Sequence, residues 1–143
     1  SADPLSRLRA DQLDDLWKVL EGLSHFNCVV WKASRDRSVS LLELELQAEI
    51  DKFVGTTLLA ISQGRTEMLN HLHGWLFDKV SFHDELDDAQ LARYRAANDY
   101  AARFCHALRS RLVEDDGAVL SELRRFFRLP MTDKISHIHS QTL

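Results

Sequence analysis

Histidine, cysteine and carboxylate side chains three or four residues apart can close on one metal ion, because that spacing sets them one helical turn apart on one face. The sequence holds such pairs in His25 with Cys28 and in Glu67 with His71, while His83 and Asp88, five apart, would join a loop to a helix start. The conspicuous "HLH" at 71–73 is weaker evidence. Residues two apart on a helix diverge by roughly 200°, so His71 and His73 cannot share an ion without distortion. The Glu-x-x-His repeats of a carboxylate-bridged di-iron bundle are missing. No cofactor is demanded by this pattern. A metal or haem is the alternative it leaves, with His25, Cys28, His71 and His106 as candidate ligands.

Nucleophilic chemistry has less to work with. Cys28 lies in "FNCVVW" and Cys105 in "ARFCHAL", apolar settings in which a free thiol behaves as a small hydrophobe. His106 follows Cys105 directly, so on a helix it points about 100° away and is not placed to activate that sulfur. There is no Gly-rich phosphate loop, Ser elbow or CxxC pair. The chain is therefore read as a non-catalytic protein, with a helical enzyme of unassigned residues as a further alternative. Arg103, Arg109 and Arg111, then Arg124, Arg125 and Arg128, could form a basic face for phosphates, but Glu114, Asp115, Asp116 and Glu122 interleave with them. The pattern is that of a solvated helix face, and nucleic acid is not the expected partner.

The elements that must position these groups are helical. Leu outnumbers Val and Ile together, only five Gly and two Pro occur, and no segment alternates with period two. A first helix is predicted over 4–33, with Leu13, Leu16, Leu20, Leu23 and Val30 as its inner stripe. A second runs from the Ser40/Glu43 capping box to Gly64, and a third from Thr66 with Met68, Leu69, Leu72, Trp75, Leu76 and Val80 inward. The Asp87/Gln90 box opens a fourth, "EDDG" breaks it, and a short fifth ends at Pro130. The expected fold is an all-α, up-and-down antiparallel bundle of four main helices plus a short C-terminal helix. Residues 1–130 would form that single domain and 131–143 a tail or linker to a following domain.

One domain is also what 143 residues suggest. A net charge of −4 gives no global attraction to nucleic acid or an anionic membrane. No apolar run approaches the roughly 20 residues of a membrane span, and two widely separated cysteines fit a reducing, cytoplasmic setting. Aromatic residues exceed what one inner stripe per helix needs. Trp75, Phe77, Phe82, Phe126 and Phe127 are the candidates for an interface or pocket, since consecutive positions such as 75–77 spread over more than half a helix circumference. Helical architecture, surplus aromatics and no catalytic signature together predict a regulatory or sensory bundle working through a protein partner or a homodimer, with a small ligand as a further candidate partner.

Overall fold

The computed structural model describes residues 10–35, 39–78 and 87–141, and every element among them is helical. The helices are α1 (Ala10–Ser34), α2 (Leu41–Ser62), α3 (Leu69–His73), α4 (Asp88–Glu114), α5 (Asp116–Arg128) and α6 (Met131–Gln141), packed as an all-α bundle. None of them is long and apolar enough to cross a membrane. The expected start of the first helix at Pro4, together with Val80, Phe82 and His83, lies outside the described residues.

α2 is the central helix. Its buried positions include Leu46, Ile50, Phe53, Val54 and Ala60, and it packs chiefly on α1 and α4. It is antiparallel to α1: Trp17 Nε1 donates to Thr56 Oγ1 at 3.1 Å, Glu21 faces Lys52 at 3.7 Å, and Lys32 faces Glu43 at 3.0 Å. α3 and α4 are antiparallel by the same test, since Asn70 meets Arg109, His73 meets Ala102 and Phe77 meets Asn98.

The local signals explain where the helices begin and end. Ser40 caps α2 by accepting from the Glu43 backbone N–H, and at the other end Gly64 adopts φ +70, the left-handed geometry in which Arg65 N–H reaches back to Ala60 C=O at 2.8 Å. The Asp87/Gln90 box is complete in both directions. Asp115 stops α4 and caps α5 through Ala118 N–H.

Two sequence expectations need correcting. α3 begins in a 3₁₀ turn, Thr66–Met68, and runs on into a π turn, Gly74–Asp78. That wide turn adds a residue to the repeat, so Leu76 and Phe77 are buried while Trp75, expected inward, is 38% exposed. Residues 131–141, expected as a tail, form α6, whose Lys134 and Ile138 are fully buried. A count of apolar residues misses α6, because one of its two anchors is a lysine.

Candidate functional site

α1 carries two unlike faces. Toward the bundle it buries Leu13, Ser24, Cys28 and Lys32. Away from it, Val19 (60% exposed), Leu23 (55%), Phe26 (66%) and Val30 (50%) stand in solvent. The inner stripe expected from the sequence is thus wrong at Leu23 and Val30. Leu16, Val19, Leu23, Phe26, Val30 and Ala33 alternate steps of three and four, the a/d repeat of a coiled-coil seam. Of the positions flanking that seam, Leu20, Gly22, Asn27, Val29 and Ser34 carry no charge, while Asp15, at its N-terminal end, does.

Beside this face α1, α2 and α5 enclose an open cleft of about 740 Å³. Its walls are apolar, with Leu20, Val54, Leu120 and Leu123 toward one end and Trp31 and Phe127, ring centroids 6.0 Å apart, at the other. Ser24, Gln47 and Asp51 supply the polar floor, and Arg124 and Arg128 edge the opening. Burial pushes the Asp51 carboxyl up from its ordinary value, although Ser24 and Gln47 beside it favour the charged form. Gln47 Nε2 donates to Asp51 Oδ1 at 3.0 Å. The Ser24 hydroxyl lies near Asp51 without completing a hydrogen bond of ordinary geometry.

Beneath the floor lies a buried charge cluster. Lys134 Nζ of α6 and Lys32 Nζ of α1 each approach the same Glu43 Oε1 at 3.0 Å, and Lys134 also reaches Gln47 Oε1 at 3.3 Å. The Phe126 and Phe127 rings stand 5.4 and 5.6 Å from the Lys134 ammonium. Burial draws the Lys134 ammonium below its ordinary value, against the pull of Glu43. Cys28 sits against this cluster, its thiol pushed up mainly by burial, so it stays protonated. Cys105 is fully buried in the core and is raised well above the ordinary thiol range for the same reason. Neither sulfur is placed as a nucleophile.

The proposed metal ligands are dispersed. His25 Nε2 is 4.0 Å from Glu21, while exposed His71 stacks on Trp75 at 5.5 Å. His73 turns the other way, its Nε2 2.8 Å from Ala102 C=O. His106 borders a shallow cleft between α3 and α4, its ring 5.7 Å from His73. Among the described residues no three His, Cys, Asp or Glu side chains are grouped to hold a metal ion. His25, Cys28, His71 and His106 are not brought together. Of the proposed interface aromatics, Phe77 and Phe126 are core side chains, with Phe126 stacked on Phe104 at 4.4 Å; Trp75 is partly exposed and Phe127 lines the cleft.

Reading apolar stripes missed the polar row of the cleft. Its signal was in the sequence: Ser24, Cys28 and Lys32 recur every four residues on α1, as do Glu43, Gln47 and Asp51 on α2. On antiparallel helices two such rows can face one another. The fold and site define an all-α helical bundle with an open, polar-floored cleft next to an exposed helical seam. Comparison with protein-family models, curated proteins and solved structures finds no match for the chain.

Proposed function

We propose that this chain is a non-catalytic regulatory or sensory bundle that works through protein–protein contact and associates with a second copy of itself along α1. The seam from Leu16 to Ala33, exposed from Val19 onward, carries this reading, for it has the three-four spacing of a helix that packs on another helix. Beyond Asp15 at one end, its flanks carry no charge to set against each other when two copies meet. Gly22 points the same way. A mid-helix glycine costs about 1 kcal/mol relative to alanine, and a side chain at position 22 would meet nothing within 4 Å, so packing inside this chain does not call for it. A second backbone approaching α1 would make use of its small size.

Fully burying a Leu or Phe side chain is worth roughly 1.5–3 kcal/mol, against an association cost of about 4–15 kcal/mol. A seam this short therefore suggests a dissociation constant on the order of micromolar. Sedimentation equilibrium across that range should find the mass rising from one chain toward two. Phe26→Lys, which sets like charges near the symmetry axis, should hold the protein monomeric with its helical circular dichroism intact. A strict monomer throughout the range would remove self-association. Among the described residues the histidines lie apart, so the metal or haem reading comes second.

A further inference from the structure

The cleft is graded in charge along its length. From Leu20 to Ser34 it follows α1 for roughly 20 Å at the helical rise per residue. Leu20, Val54 and Leu120 make one end apolar. The other end is built on Trp31 and collects cations: the Arg35 and Arg128 guanidinium carbons lie 4.2 and 5.6 Å from the centre of the same indole ring, and Arg124 stands one turn back on α5. Among the described residues none of these three arginines has a carboxylate partner. Beneath the same end the Trp31 Nε1 donor is buried with no acceptor among the described residues. Among the described residues this end of the cleft is short of negative charge.

The carboxyl on the floor does not fill that need. Asp51 is level with Ser24, seven residues and so roughly 10 Å along α1 from Trp31. Its oxygen already accepts from Gln47. An occupant complementary to the whole cleft has a long apolar body and a single anionic group at one end.

We propose that the cleft binds a single-chain amphipathic carboxylate of the fatty-acid type, its chain along Leu20, Leu23 and Leu120 and its carboxylate among Arg35, Arg124 and Arg128. The volume of about 740 Å³ lies within the usual range of small-ligand sites and accommodates one such chain. This inference is independent of the association reading. The two share Leu23 and Val30, so the binding test is run on wild-type protein and on the Phe26→Lys monomer alike.

Titration calorimetry with dodecanoate below its micelle concentration should give saturable binding at one molecule per chain, with dodecan-1-ol about tenfold weaker. The double variant Arg124→Gln, Arg128→Gln changes two exposed side chains and should keep its thermal melt. It should bind dodecanoate about tenfold more weakly and dodecan-1-ol unchanged. Arg35→Gln alone is a second probe of the same end and should act in the same direction. Absence of saturable dodecanoate binding by folded protein would overturn the proposal, as would equal affinity for acid and alcohol. Equal dodecanoate affinity in wild type and double variant would also overturn it. Binding to phosphatidylglycerol vesicles without any binding of free dodecanoate would replace the cleft with a membrane-surface site.

Discussion

The two faces of α1 reverse the usual distribution of polarity. The inward face buries Ser24, Cys28 and Lys32 to 2, 1 and 4% exposure, while Phe26, Val19 and Leu23 on the outward face are more than half exposed. Hydropathy alone would turn the helix around. What fixes its orientation is partner chemistry, because a buried lysine is tolerable when a carboxylate and further acceptors meet it. Glu43 on α2 supplies that carboxylate for Lys32 and for Lys134 on α6 at once. The inward face is held by partners within the chain. The outward face has none among the described residues, which is why its apolar row is read as a surface awaiting one.

The largest effect should come from removing the shared acceptor. Glu43→Gln leaves two buried ammonium groups without their common counter-charge, and urea unfolding should record a loss of about 3–5 kcal/mol. Lys134→Met should cost less, no more than about 2 kcal/mol, since Lys32 still neutralises Glu43 and the acceptor chiefly stranded is Gln47 Oε1. If Lys134→Met proved the worse of the two, the cluster would be held by α6 and not by Glu43.

How far the sequence could be read follows the same division. Helix boundaries set by backbone chemistry were legible, as at Asp87/Gln90, Ser40 and the break over 114–117, because a cap or a breaker acts between near neighbours. The core of α4 was legible in part: of Leu91, Tyr94, Ala101, Cys105, Leu108 and Leu112, which helical spacing sets on one face, the last four are buried and the first two half-buried. α1 was misread where apolar residues compete for both sides of one helix. Spacing cannot say which stripe faces in when the deciding partners, Glu43 and Lys134, lie 11 and 102 residues beyond Lys32. Trp75 was misplaced for a local reason, the π turn at Gly74–Asp78, which breaks the 3.6-residue repeat that the reading assumed. The cleft was illegible because it belongs to three helices at once and its floor is polar.

A pH titration sharpens the contrast from the floor of the cleft. Burial raises the carboxyl of Asp51 on that floor, and that of Glu45, which faces Arg93 of α4 instead, above their ordinary values of 3.8 and 4.5. The folded state therefore holds these protons more tightly than the unfolded chain does. Their contribution to stability is present below those ordinary values and is lost as pH rises through the raised ones. Asp51→Asn keeps an oxygen to accept from Gln47 Nε2 but cannot ionise. Chemical denaturation from pH 4 upward should show a shallower decline for Asp51→Asn than for wild type, with the two curves meeting at the acid end. Parallel curves would mean that Asp51 is solvated well enough to titrate alike in both states.

The smallest effect on stability should come from the outward face, and that smallness is what separates it from the inward one. Leu23→Ser and Phe26→Ser alter side chains that are 55 and 66% exposed, so each should shift the monomer's unfolding free energy by no more than about 0.5 kcal/mol. Were α1 simply loosely packed, with its apolar row in reach of the core, the same substitutions would cost as much as ordinary core truncations, about 2–5 kcal/mol. A small cost joined to a lost concentration dependence of mass would locate the role of this row outside the monomer's own fold. The measurement has to be made at concentrations where wild type is monomeric, because above them association stabilises the folded state by mass action. Otherwise loss of the dimer would register as loss of fold.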